Sequence, residues 1–559
     1  MRNKFTRILF CILLLAAFLR LYRYNLADVI NDEVFYGFRS IGLIDTINSP
    51  YQPTPFEWFT QVPGWARLSF HDHPPLGFYI QHIFFKIFGV NLFGLRLPFI
   101  AAGTISVYLV YLIAQLLFRD QRVSLLASAF LAVNNYHVWI SRIGLQESLV
   151  IFFMLLSIWF FLKTISFQGP PSILFNQSLY FYLTMITVGF SLLMKYTSII
   201  LIPIFLIYLL WKRRDLLSWK RIILSAILLL VILSPVIIYN FKLYQARGHF
   251  DFQISYLLKQ KVPDWEIRPG RDVGGIKDKV QRFFTQFGKG YGAVFSGLSI
   301  LALSLLYQLR KIEGVKFLVV VLGLLLLLFL FIGPQERFLS MLAPFLAILI
   351  AQVMVFLREQ WKNFSYLLVV LLTLELAYTI NTYVLVNPKG QPGWTYSILR
   401  YDHNLWGYNQ LEDYLQKKMA GIFPERVFKL KYKFVEEIQD QAIERAKRQG
   451  KQASPIVFVT DTTMNGLPVL WYITRHTVYD GWPMVNSTFY QQLIADNPNY
   501  FADNGFQKIV FIKAGETLLR TDEEGIPAKE LESRLLRSGI TPQIIRNPNA
   551  KAAFRIYEF

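Results

Sequence analysis

Long apolar runs separated by short polar ones dominate the first two thirds of the chain. They lie near residues 7–24, 97–118, 123–140, 148–163, 178–194, 196–211, 221–239, 292–308, 315–332, 338–357 and 364–386. Each is close to the ~20 residues that a helix rising about 1.5 Å per residue needs to cross a bilayer core. The pattern predicts about 11 membrane spans, plus or minus two. Segment 74–95 is shorter and carries Gln81, His82 and Lys86. It reads as interfacial or re-entrant, with a full crossing as the alternative.

Between the first run and segment 74–95, residues 25–73 hold two amphipathic stretches, Glu33 to Ile47 and Thr54 to Leu68. Phe56, Trp58, Phe59 and Trp65 suit helices lying in the headgroup plane. Beyond residue 387 the pattern changes. A basic helical stretch, Glu436 to Arg448, precedes a strand at Pro455 to Thr460. A helix at Met464 to Thr474, a strand at Lys508 to Ile512, a helix around Ala528 to Arg537 and a strand at Ala553 to Tyr557 follow. Such alternation predicts a small α/β domain. The predicted architecture is therefore a polytopic α-helical membrane part, 1–389, with outer loops 25–73 and 240–291, joined to a soluble α/β domain, 390–559.

Composition agrees. Hydrophobic residues make up 54% and charged residues 17%, against the ~25% charged residues of soluble domains. Disorder and a purely water-soluble chain are both excluded. A single cysteine, Cys11, excludes a disulfide framework and a cysteine-based zinc site. The net charge of +20 could suggest nucleic acid, but residues 390–559 carry 21 Lys and Arg against 19 Asp and Glu. The excess sits in short loops of the apolar part, such as Trp211 to Asp215 and Leu309 to Lys311. There it is the positive-inside signal, facing cytoplasm and anionic lipid. Basic loops at 211–221, 309–316 and 358–362 place 240–291, 333–337 and everything after 387 outside. Arg2, Lys4 and Arg7 precede the first run, and no small-residue cleavage site follows it, so it reads as an uncleaved span with 25–73 outside. The predicted location is a prokaryotic plasma membrane.

Three groups of residues could carry chemistry. Asn31-Asp32-Glu33 places two carboxylates just past the first span. They fit either a solvated helix N-terminus or a general base at a cleft. His71-Asp72-His73-Pro74-Pro75 closes the same loop. Asp72 and His73, with His71, could ligate a divalent cation, orient a base, or cap a helix. The third group is cationic: Arg96, Arg142, Lys195 and Arg337, all on the outer side in this topology. Converging cations would hold a phosphate; singly, each could snorkel to headgroups. Glu147 and His249 are further candidates for substrate or metal contact. The acid pair and the cations are expected to surround one outer-leaflet pocket.

The acidic pair, the His73-Pro-Pro-Leu box, Leu95-Arg-Leu-Pro98, Ser141-Arg…Glu147 and Lys195, in this order over roughly residues 1–390, resemble the GT-C membrane glycosyltransferases. Among these the chain is most like the protein O-mannosyltransferase and lipid A aminoarabinose transferase group. The resemblance implies a polyprenyl-phosphate-linked sugar donor, a hydroxyl acceptor and an active site on the outer or lumenal face. It also implies that the first-loop acid is the catalytic base, which falls on Asp32 with Glu33 beside it. His73 stands where the aminoarabinose branch has a lysine, which favours a mannosyltransferase-like box. The 240–291 loop is too short for the inserted domain usual in protein O-mannosyltransferases, and no Trp-Trp-Asp-Tyr-Gly motif marks an oligosaccharyltransferase. Two other readings stay open: a lipid or sugar transporter or flippase, and a catalytically silent member acting as an assembly partner.

Overall fold

The structure is a computed structural model describing residues 2–47, 49, 51–166, 177–265, 274–361, 363–399, 405–428, 431–464, 466–515 and 525–559. It divides into two compact units: Met1–Tyr24 with Gly64–Arg400, and Asn25–Pro63 with Tyr401–Phe559. Most of the first loop thus folds with the C-terminal residues, whereas the sequence groups it with the membrane part.

The first unit is helical. Among the described residues, seven helices are long and apolar enough to cross a membrane, or eight if one bent pair counts as a single span. The seven are Leu92–Phe118, Glu147–Ser166, Gln177–Met194, Trp219–Arg247, Glu313–Ile332, Phe338–Gln360 and Phe364–Tyr383. Every apolar run in the sequence coincides with helix, and the difference from 11 lies in interrupted runs and in the charged first helix. The bent pair is Gln121–Val133 and Asn135–Arg142, turned by 58°. At the bend, the Asn134 side chain accepts the His137 N–H at 2.9 Å. The Thr379 hydroxyl donates to the Val133 carbonyl at 2.6 Å. Freed backbone groups away from water need such partners. The run at 196–211 begins with a 3-10 turn, Tyr196–Ile200, before Leu201–Lys212. Ile276–Ser304 is kinked at Gly292, whose φ of 70° suits a residue without a side chain. Leu76–Phe88 is a 13-residue apolar helix. Arg2–Leu21 carries cations at both ends and stands outside the seven.

The second unit is built on a mixed sheet. Its strands are β1 (Ile422–Pro424), β2 (Gln452–Ser454), β3 (Ile456–Thr460), β4 (Met484–Asn486), β5 (Lys508–Ala514), β6 (Gln543–Arg546) and β7 (Ala552–Glu558). β1 and β2 form a parallel pair; the other five lie in the order β4-β3-β5-β7-β6. β3 is parallel to β4 and β5, with Val457 opposite Ile509. β7 runs antiparallel to β5 and β6. β3 is wholly buried, as its uninterrupted apolar run requires. Val457, Val459, Phe511 and Tyr557 form the core on one sheet face with Leu531 and Leu535 of helix Ile526–Arg537. The helical stretch that opens after β3 runs on from Gly466 to Tyr479, with a π turn at Leu470–Thr474.

The first loop contributes helix Asp32–Gly42 to this unit. Acids in its first turn and Arg39 in its last suit the helix dipole. Residues 54–68 do not form one helix. Pro55 starts a single turn, Pro55–Trp58, closed by a Thr54/Glu57 capping box. Pro63 separates it from the 3-10 turn Gly64–Arg67.

Candidate functional site

In the first unit, Lys195 occupies the break between helix Gln177–Met194 and the 3-10 turn, with extended backbone angles. Its Nζ meets Glu147 Oε1 at 2.5 Å. Arg337 Nε lies 3.3 Å from the same oxygen. Glu147 opens helix Glu147–Ser166 and is fully buried. The Phe338 ring lies 4.4 Å from Lys195 Nζ and 5.6 Å from Arg337 Cζ. Two cations therefore converge on one carboxylate among apolar helices. Arg337, with 22% side-chain exposure, is the most accessible of the three. Glu147, one of the substrate or metal candidates, is the counter-ion that gathers two of the four phosphate candidates.

The other two candidates face the end of the first helix. Arg142 Nη1 donates to the carbonyls of Leu19 at 2.7 Å and Tyr22 at 2.8 Å, and Nη2 donates to that of Arg23 at 2.9 Å. Arg96 Nη1 donates to the Tyr24 carbonyl at 2.7 Å. The last carbonyls of a helix have no intrahelical donor, and these two buried guanidinium groups supply them. Lys195 and Arg337 thus share Glu147, while Arg96 and Arg142 meet on the 19–24 backbone.

A second corner of this unit is formed by the histidine box. Asp72 Oδ1 is 3.1 Å from His73 Nδ1 and 4.0 Å from His71 Nδ1. His71 and Asp72 belong to a group whose ligand atoms lie within 4.8 Å of one another, close enough to share a divalent cation, and the His73 imidazole expected from the sequence is not part of it. His249 belongs to the same corner. The Phe252 N–H donates to the His71 carbonyl at 2.7 Å, and Gln253 Nε2 donates to that of Asp72 at 3.0 Å. The Trp265 ring packs on both His71, at 5.4 Å, and His249, at 4.7 Å. His249 Nε2 is 2.9 Å from Asp264 Oδ2, and Arg247 Nε donates to the same oxygen at 2.9 Å. Partial burial alone would raise the Asp264 carboxyl, but hydrogen bonds from Arg247 and His249 hold it below the usual range.

The acid pair belongs to the second unit. Asn31, with φ 54°, precedes helix Asp32–Gly42. Asp32 is half-buried and accepts a 3.3 Å hydrogen bond from the Tyr36 hydroxyl; Glu33 is buried. C-terminal residues hold this helix and the segment entering it. The Asp28 carboxylate accepts the backbone N–H groups of Trp406, Gly407 and Asn409 at 2.7, 3.0 and 2.9 Å. The Tyr472 hydroxyl accepts the Val29 N–H at 2.8 Å and donates to Asn409 Oδ1 at 2.6 Å. The Tyr479 hydroxyl donates to the Phe38 carbonyl at 2.8 Å, and the two rings meet edge to face. Sequence reasoning passed over Asp28, Tyr472 and Tyr479; a carboxylate between apolar residues, Leu26-Ala-Asp-Val29, was the available signal for the first.

The fold is similar to those of two solved proteins. It resembles ArnT from Cupriavidus metallidurans bound to undecaprenyl phosphate, with a TM-score of 0.54 and 11% identity over all of this chain and 98% of that one. An Archaeoglobus fulgidus oligosaccharyltransferase tethered to an acceptor peptide superposes with a TM-score of 0.50 and 13% identity, over 99% of this chain and 74% of that one. Residues 72–239 match the family described as dolichyl-phosphate-mannose-protein mannosyltransferase. The Bacillus subtilis protein YkcB, described as a candidate mannosyltransferase, is 26% identical over 229 residues, 41% of this chain and 29% of that protein. An undecaprenyl phosphate-alpha-4-amino-4-deoxy-L-arabinose arabinosyl transferase of Pseudomonas aeruginosa is 38% identical over 63 residues, 11% of this chain and 12% of that protein. The matched stretch thus spans less than a third of these relatives. The chain resembles the protein O-mannosyltransferase and aminoarabinose transferase group.

Proposed function

We propose that the chain is an integral-membrane glycosyltransferase that moves a sugar from a polyprenyl-phosphate-linked donor to a hydroxyl acceptor. The carrying observation is the meeting of Lys195 and Arg337 on buried Glu147. Two cations brought together among apolar helices suit a lipid phosphate whose tail lies against those helices. The relatives named above support the donor class, and nothing in the comparisons favours a transporter. In the proposed step the acceptor oxygen forms a bond to the anomeric carbon as the bond from that carbon to the phosphate oxygen breaks. Asp32 takes the acceptor's proton, and the departing lipid phosphate carries its charge to Lys195 and Arg337. A single displacement of this kind inverts the anomeric configuration. His71 and Asp72 would help to hold a divalent cation.

In the proposed orientation, loops 211–221, 309–316 and 358–362 face the cytoplasm, and 240–291 and 390–559 lie outside. The test separates the two parts of the site. Asp32→Asn is expected to abolish transfer in reconstituted membranes while leaving undecaprenyl phosphate bound as in wild type. Lys195→Ala and Arg337→Ala are each expected to weaken that binding by roughly 10- to 100-fold, one charge-assisted contact's worth. Near-wild-type transfer by folded Asp32→Asn, or unchanged lipid-phosphate binding by both cation variants, would refute the corresponding assignment.

A further inference from the structure

The surroundings of Lys195 contain an unusual set of unsatisfied groups. Among the described residues, both polar atoms of the Gln146 carboxamide, Oε2 of Glu147 and the hydroxyls of Ser191 and Ser198 have no hydrogen-bond partner. All four side chains are at least 99% buried. They come from two segments that meet at the ion cluster. Gln146 and Glu147 begin one helix. Ser191 lies one turn before Lys195 and accepts its N–H through the backbone carbonyl at 3.0 Å, and the Ser198 N–H donates to the Lys195 carbonyl at 3.0 Å. Gly77, on helix Leu76–Phe88, lies against both segments. A Cβ there would come within 3.1 Å of Met194 Cε and 3.2 Å of Gln146 Nε2. The Gln146 amide is therefore packed close to the residue that precedes Lys195.

An unmet buried polar group costs about 1–3 kcal/mol, and native proteins carry few. Several beside one ion cluster call for a ligand that meets them. Their chemistry narrows its class. A phosphate accepts hydrogen bonds and would use donors alone. The set here mixes a carboxamide that donates and accepts, a carboxylate oxygen that accepts, and hydroxyls that do either. Its complement is a group whose atoms also do both, as the hydroxyls of a sugar ring do.

We propose that Gln146, Glu147 Oε2 and Ser191 form the sugar subsite of the donor, reading the ring hydroxyls while Lys195 and Arg337 hold the phosphate. Gln146 is the specificity residue of this subsite. The proposal rests on the glycosyltransferase reading above, and the experiment separates the two. Full-length protein in nanodiscs is titrated with undecaprenyl phosphate and with undecaprenyl-phosphate-linked mannose, glucose and 4-amino-4-deoxyarabinose. In wild type, at least one glycosylated lipid should bind more tightly than the bare one. Gln146→Met, similar in shape without the amide, should lose roughly tenfold or more of that advantage and leave bare-lipid affinity within about twofold. It should also unfold no earlier than wild type, since it removes unmet groups. Gln146→Asn keeps the amide but withdraws it by one methylene, and provides the same comparison should the first variant fold poorly. Equal preference for the glycosylated lipid in wild type and variants overturns the subsite, as does a wild type that gains nothing from any of the three sugars. Loss of bare-lipid binding in Lys195→Ala, alongside unchanged sugar preference in Gln146→Met, would leave the phosphate site standing and the subsite rejected.

Discussion

At the scale of single residues, Glu147 couples stability to the proposed binding role. It is buried between Lys195 and Arg337, and its nearer oxygen meets both. Removing one partner of a buried ion pair leaves uncompensated charge, at a cost of roughly 3–5 kcal/mol. Glu147→Ala should therefore lower the thermal unfolding midpoint of the detergent-solubilised protein far more than Arg337→Ala, whose partially exposed guanidinium leaves Glu147 still paired with Lys195. Equal midpoints for these two variants would contradict the assignment of Glu147 as the shared counter-ion. The sequence marked all three residues, because charge inside apolar runs is conspicuous. It could not show which cations would converge. Arg142 looks the same as Lys195 in the sequence, yet its guanidinium donates to the carbonyls ending the first helix. That difference depends on contacts over 120 residues apart.

Among the elements, helix Asp32–Gly42 has the most informative surroundings. It carries the proposed base, and the C-terminal residues of its own unit hold it through Tyr479 and, at its entry, through Asp28 and Tyr472. Tyr479→Phe leaves the Phe38 carbonyl without this buried donor, a loss of about 1–3 kcal/mol. The expected outcome is slower turnover with undecaprenyl phosphate binding unchanged, since Lys195, Arg337 and Glu147 all belong to the other unit. Turnover equal to wild type, measured at saturating donor, would show that this bond does not position the helix. The division of the chain explains what patterning could and could not supply. Each membrane helix is announced by its own run of about 20 apolar residues, so nearly every one was legible. The 58° bend at Asn134 was not, because its freed carbonyl is satisfied by Thr379, 246 residues away. Nor was the packing of residues 25–63 with C-terminal residues such as Tyr472 and Tyr479, since amphipathic periodicity identifies a buried face without naming what buries it.

For the whole molecule, charge is distributed by unit. Nearly all of the excess that makes up the +20 lies before residue 390, while the C-terminal residues are nearly balanced and turn several ionised groups inward. The His476 imidazole is buried, with Nδ1 2.7 Å from Asp480 and Nε2 2.9 Å from Glu412, and its ring stacks on Trp482 at 3.9 Å. Arg475 Nη2 donates to Glu412 at 2.6 Å. Burial disfavours the charged imidazole, and Arg475 repels it, but Glu412 and Asp480 outweigh both and raise its pKa. The same cations hold the Glu412 carboxyl well below the usual range despite its burial. Because the folded state binds the His476 proton more tightly than the unfolded chain, this cluster contributes most below the unfolded imidazole value of about 6.5. Its contribution is lost as pH rises through the folded value. Asp28 acts in a separate window. Burial raises it to about 6, against the pull of its backbone N–H partners, from an ordinary 3.8. Its protonated form therefore favours the folded state, and that contribution disappears as pH climbs to about 6. Above that point His476 still binds its proton more tightly in the folded unit, and tyrosines that burial raises, such as Tyr490, lose theirs only above their ordinary 10.0. Thermal unfolding of the full chain in detergent should show a midpoint that falls from pH 6.5 into the alkaline range, and His476→Gln should flatten that fall. A slope identical in the variant would mean that the proton is not held between Glu412 and Asp480.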